Sequence, residues 1–138
     1  MPAMNNFFAM LYEGFPPLDL FYISINNFSD NMFTSGTYVP VGLIMIISSL
    51  LSELFYYFFL SSYGNFYKRI YWFSWMVLIA VINFIVAYSF SLSTIGLEAT
   101  FLEYFTFSMV NVLWTMIFCF VFSIAFKFKS IKASRTPF

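Results

Sequence analysis

The chain has no histidine, one cysteine (Cys119), and only six basic and six acidic residues in 138. Each shortage excludes something. Without histidine there is no imidazole zinc site, no His-ligated haem, and no Ser-His or Cys-His catalytic pair. One cysteine can build neither an internal disulfide nor a cysteine-based metal site. No G-x-x-x-x-G-K-[ST] or G-x-G-x-x-G stretch is present to cradle a phosphate. The charged share is 9%, against about 25% in ordinary soluble domains, which is too little to cover a water-facing surface. Basic and acidic residues balance, so no positive excess exists to hold a nucleic acid. The expectation is a protein that is not an enzyme, with no cofactor, no metal and no evident small-molecule substrate.

What is there is apolar: 62% hydrophobic and 25% aromatic residues, with 22 Phe and 10 Tyr. Three long apolar runs stand out, at residues 38–60, 71–92 and 106–126. At 1.5 Å rise per residue, each covers roughly 30 Å, the hydrocarbon thickness of a bilayer. Backbone in lipid must satisfy its own hydrogen bonds, so the runs are helices. The fold class expected is all-α: an integral membrane protein with three transmembrane helices and an apolar N-terminal interfacial segment. It divides into 1–37 (an outside interfacial or partner-bound segment), 38–126 (the three-helix transmembrane domain) and 127–138 (a basic inner-side tail). Pro40 suits a first helical turn. Gly64 and Asn65 suit the end of the first helix, and Gly96 breaks the chain before the third. Thr100-Phe101-Leu102-Glu103 has capping-box spacing, which starts the third helix near Phe101 and lifts Glu103 to the membrane surface. Tyr71, Trp72 and Trp75 sit where interfacial aromatics belong.

The charges are sorted. Lys68 and Arg69 lie between the first two spans, and Lys127, Lys129, Lys132 and Arg135 follow the third. Three spans put both groups on one side. Glu13, Asp19, Asp30, Glu98 and Glu103 fall on the other. The positive-inside rule then gives N-terminus outside and C-terminus inside.

Residues 1–37 are not an ordinary outside tail, because Phe7, Phe8, Leu11, Phe15, Leu20 and Phe21 make them strongly apolar. The broken apolar stretch and the absence of basic residues before it do not match a signal peptide, and no lipidation box is expected. Pro16-Pro17 and three acids prevent a clean span. The segment reads as interfacial or partner-bound, with a re-entrant fourth hydrophobic element as the alternative.

Each span carries a polar stripe. Ser108, Asn111, Thr115, Cys119 and Ser123 share one face of the third helix. Ala80, Asn83, Ala87 and Ser91 do so on the second, and Ser49, Ser52, Glu53 and Tyr56 on the first. Small and polar residues let membrane helices approach and hydrogen-bond, while greasy faces meet lipid. By helical rise, Asn83, Asn111 and Thr115 lie about 18, 22 and 16 Å from the inner boundary, so they can pair across the second and third helices. They read as packing contacts, with a functional polar site as the alternative. Glu53, about 10 Å from that boundary, is the only ionisable residue inside a span. It is either protonated or partnered. One reading makes it a proton-linked or polar-channel group. The other has it snorkel, or pair with Lys68, Arg69 or a neighbouring subunit. The cluster Phe55-Tyr56-Tyr57-Phe58-Phe59 wraps all sides of the first helix, as an interface with lipid or another subunit would.

Pro17-Leu18-Asp19-Leu20-Phe21-Tyr22-Ile23 resembles the P-L-D-x-F-x-I string near the start of many F-type ATP synthase subunits a. Glu53-Leu54-Phe55-Tyr56 resembles that family's E-x-I-Y stretch. Asn83 with Tyr88-Ser89-Phe90-Ser91-Leu92-Ser93 is similar to its N-L-x-x-x-x-P-Y-S-F-x-L-S stretch, with a shorter gap and no Pro. The order matches. The resemblance covers the first half of that family, while its proton-path arginine lies on later helices. What it implies is therefore a membrane scaffold, with Glu53 and Asn83 as scaffold positions.

The function expected is a non-catalytic membrane-embedded subunit of a larger complex. An energy-transducing complex such as an F-type ATP synthase is its home, in a mitochondrial or bacterial inner membrane. Its partners are other membrane subunits and lipids. Two alternatives stand beside it: a self-assembling pore, resembling one class of phage holins with three spans and a basic tail, and a small proton-linked transporter using Glu53.

Overall fold

The computed structural model describes residues 2–64, 66, 68–96 and 98–127. These form helices joined by turns and short irregular stretches, with no strand among them. Helix α1 spans Pro2–Glu13, α2 Phe28–Thr34, α3 Tyr38–Phe58, α4 Arg69–Ile95 and α5 Phe101–Lys127, with short 3-10 turns at Leu18–Phe21 and Leu60–Ser62. Three helices are long and apolar enough to cross a membrane: α3 with the turn after it, α4, and α5. The chain is an integral membrane protein by that measure. Asn65 and the tail after Lys127 lie outside the described residues.

The long helices run up, down and up. Thr37 at the start of α3 bonds Thr94 near the end of α4. The Tyr104 hydroxyl near the start of α5 donates to the Gly96 carbonyl after α4. At the opposite end, Tyr57 of α3 meets Ser123 of α5 at 2.5 Å. Helices α4 and α5 extend past the apolar runs read from the sequence, because residues such as Ile70, Ile95, Phe101 and Tyr104 continue the same helices. Gly96 ends α4 at φ +71°, a conformation that residues with a Cβ rarely adopt. Its amide still bonds the Leu92 carbonyl at 2.9 Å. Helix α5 starts at Phe101, where Glu103 Oε2 accepts the Thr100 amide at 2.7 Å and the Thr100 hydroxyl at 2.9 Å. That is the reach-back half of a capping box.

The polar stripes point inward. Ser49, Glu53, Ser91, Ser108, Asn111, Thr115 and Cys119 have no exposed surface, and Asn83 and Ser123 have almost none. Large apolar side chains such as Phe73, Ile85 and Phe120 face outward. Lipid is as apolar as Leu, so burial alone does not hold such helices together; close packing and hydrogen bonds do. This explains why small and polar residues line the interior. The aromatic run in α3 splits: Tyr56 and Tyr57 are buried, while Phe55, Phe58 and Phe59 face outward.

Residues 2–34 fold back onto the bundle. A Cβ on Gly42 of α3 would meet the Phe8 ring of α1 at 2.2 Å, so the close approach of these helices needs glycine there. Tyr12, Tyr38 and Phe107 pack ring on ring, with Tyr12 4.9 Å from Phe107 and 5.6 Å from Tyr38. Phe28 closes the cluster against Tyr104 and Phe107. Such pairs each contribute about 0.5–1.5 kcal/mol beyond area burial.

Candidate functional site

Polar side chains inside the bundle form two groups. The first is centred on Asn83 and Asn111. The amide of Asn111 donates to the backbone carbonyl of Asn83 at 3.0 Å, which ties α5 to α4. Asn83 Nδ2 in turn donates to the Ser48 hydroxyl at 2.9 Å, which ties α4 to α3. The Tyr12 hydroxyl donates to Asn111 Oδ1 at 2.6 Å, which brings in α1. Thr115 donates to the Asn111 carbonyl at 2.8 Å, within its own helix. One chain of hydrogen bonds thus crosses four helices. Asn83, Asn111 and Thr115 come together, with Asn111 using a backbone carbonyl rather than the Asn83 side chain.

Glu53 stands apart, in the half of the bundle nearer the Lys68 end. It is fully buried beside Trp72 of α4 and Cys119 of α5. The Trp72 indole and the Cys119 thiol are the donors that face its carboxyl, and neither reaches full hydrogen-bonding geometry with it. The nearby hydroxyls are committed elsewhere: Ser49 donates to the Met45 carbonyl and Ser52 to the Ser49 carbonyl. Snorkelling would carry the carboxyl to the boundary, and here it does not leave the interior. Trp72, read as an interfacial aromatic, is also turned inward and buried, whereas Tyr71 is exposed. Trp75 donates to the Ser52 carbonyl at 3.2 Å, so it ties α4 to α3.

The polar residues of the N-terminal segment complete the picture. Glu103, in the first turn of α5, has no exposed surface. The chain around Ile25 covers it, and the Ile25 amide donates to Glu103 Oε1 at 2.6 Å. The Tyr22 and Tyr38 hydroxyls pair at 2.7 Å, and Tyr38 also donates to Glu13. Burial pushes the Tyr12 hydroxyl well above the ordinary tyrosine range. Burial does the same to Tyr22, helped by the charges of Glu13 and Glu103. Both therefore remain neutral hydroxyls and serve as hydrogen-bonding groups, not as acids.

Sequence reasoning missed Tyr12, Ser48, Trp114 and the burial of Glu103. Ser48 adjoins the stripe residue Ser49, and its own face was the available signal. Nothing local marks Tyr12 as a partner of Asn111. Chemically, the arrangement binds helices to one another. Among the described residues no three Cys, Asp or Glu side chains converge on a point. The polar groups are mostly engaged in helix-to-helix or local backbone contacts, and Glu53 is the conspicuous group left over. No protein-family model, curated protein or solved structure matches the chain.

Proposed function

We propose that the chain is a non-catalytic, membrane-embedded subunit of a larger complex. The observation that carries this reading is the inversion of the bundle. Its polar stripes are turned inward and used up in structure, while its outer surface is a broad aromatic and aliphatic face suited to lipid and to other helices. An apolar groove of about 230 Å³ runs between α4 and α5 on that face, lined by Val77, Ala80, Phe84, Met109 and Met116 among others. The charges support an N-outside, C-inside topology. Lys68, Arg69 and Lys127 lie at one end of the long helices, and Asp30, Glu98 and Glu103 belong to the other. The inner membrane of a bacterium or mitochondrion is the proposed home. An energy-transducing complex such as an F-type ATP synthase is the proposed assembly, resting on the three stretches that resemble its subunit a.

The inward stripes weigh against a pore formed between copies, because lining such a pore would need the bundle to open. A proton-linked transporter would rest on Glu53, and among the described residues no second carboxyl lies beside it to hand a proton on, since the buried Glu103 belongs to the other end of the bundle. Affinity capture of the tagged chain from its own membrane in mild detergent, with mass-spectrometric identification of what accompanies it, tests the reading. Stoichiometric recovery of other integral membrane subunits is expected. Recovery of the chain by itself would contradict it.

A further inference from the structure

The contacts of the N-terminal segment follow a path. At the end of the bundle where α3 begins, Asn5 of α1 donates to the Phe33 carbonyl at 2.8 Å. Further along α1, Phe8 lies on Gly42, and Tyr12 reaches Asn111. The Leu11 carbonyl accepts the Trp114 indole N–H at 2.9 Å. The Phe15 ring then packs edge-on against Trp114, 5.1 Å between centroids. From there the chain returns: the Ile23 amide faces the Thr106 hydroxyl at 3.4 Å, and the Ile25 amide meets Glu103. The partners on α5 descend to Trp114 and climb back to Glu103.

Helix α5 has 27 residues with Trp114 at its middle. It is about 40 Å long, against a hydrocarbon layer of about 30 Å, and Trp114 lies about 20 Å from its first residue. A helix centred in the bilayer therefore holds Trp114 near the midplane. We propose that residues 2–34 form a re-entrant hairpin inserted into one leaflet. Its turn at residues 14–17 lies at the level of the Trp114 indole, and its outer face is solvated by lipid acyl chains.

Two further observations support this. Residues 22–25 have no regular secondary structure, yet the Ile23 and Ile25 amides are met by side chains of α5. Irregular backbone is tolerated at membrane depth only where protein supplies its hydrogen bonds. In water the same amides would need no such help. The second is the direction of the side chains. Met10 and Leu20, on the descending and returning legs, are 65% and 80% exposed, and Phe7 and Phe21 join them. This face is continuous with the outward apolar surface of the long helices. Of the acids in the segment, Glu13 accepts from Tyr38 and Asp19 Oδ1 is covered by protein, while Asp30, near the end of the bundle where α3 begins, is exposed.

The test uses the full chain, reconstituted into phosphatidylcholine vesicles. Single cysteines replace Met10, Leu20 or Glu98 in a Cys119→Ser background, and each carries a nitroxide. The Glu98 position lies in the exposed loop between α4 and α5 and reports water. At 10 and 20, collision with dissolved oxygen is expected to exceed collision with a water-soluble nickel chelate several-fold, relative to the same ratio at 98. Nickel access at 10 and 20 equal to that at 98 would place the segment in water and overturn the proposal. Low access to both reagents would mean that protein, such as a second copy, covers the face, and would overturn the assignment to lipid. Phe7 replaces Met10 as the labelled site if the Met10 variant fails to elute as the parent does.

Discussion

Around Asn111, polar groups from α1, α3, α4 and α5 meet and are joined in one chain of hydrogen bonds. Around Glu53, three helices meet over a carboxyl whose facing donors, the Trp72 indole and the Cys119 thiol, fall short of full hydrogen-bonding geometry. Both halves are equally buried, so the difference is pairing rather than depth. Interhelical hydrogen bonds in membranes add only about 0.6 kcal/mol each on average. A buried polar group left unpaired costs about 1–3 kcal/mol. The paired half is therefore only modestly strengthened by its network, and the half around Glu53 carries a net cost. The half near the N-terminal segment is the firmer of the two, and the half near Lys68 is the one expected to open first.

Substitutions on either side test this contrast. The largest effect is expected from Glu103→Ala, which removes the acceptor for Thr100 and for Ile25 together. Losing a cap costs about 1 kcal/mol and losing a bond to a carboxyl group about 1.5–3 kcal/mol, so unfolding in mixed detergent should show a loss of about 3 kcal/mol. Gly42→Ala comes next. Its Cβ must displace the buried Phe8 ring, at a cost of about 1–3 kcal/mol for overpacking. Limited proteolysis should then cut the N-terminal segment faster while the long helices stay intact. On the other side of the contrast, Glu53→Met removes the unpaired carboxyl and should raise stability by about 1–2 kcal/mol. A drop on the same assay would mean that Glu53 has a partner worth keeping. Last is Tyr12→Phe, which leaves the buried Asn111 Oδ1 without its donor and should cost about 1 kcal/mol, the low end for an orphaned buried acceptor. Its effect should shrink when Asn111 is already Ala, since the two share one bond.

The spans and their inward faces were legible because periodicity reports them directly. A stripe at steps of three and four residues has one side, and membrane helices bury that side against each other. The pairing of α4 with α5 through Asn83 and Asn111 followed from depth alone, although the acceptor atom did not. The N-terminal segment was not legible. Tyr12 and Asn111 are 99 positions apart, and no local pattern links them. Nothing in the sequence pattern marked Gly42 as the seat of the Phe8 ring. Glu103 was placed correctly on a helix start, but its burial was not legible, because cap spacing says nothing about a segment that later covers the cap. Glu53 was visible as an anomaly, and it remains one: a carboxyl retained in the interior, at a cost to stability, in a protein whose other interior polar groups hold helices together.

The central claim is that the apolar outer surface belongs to an assembly. The most direct measurement is the native mass of the chain extracted from its own membrane in mild detergent. A protein of 16.2 kDa that is a complex subunit should migrate entirely in a much larger species containing other polypeptides. Migration as a lone chain, or as an oligomer of this chain only, would contradict it.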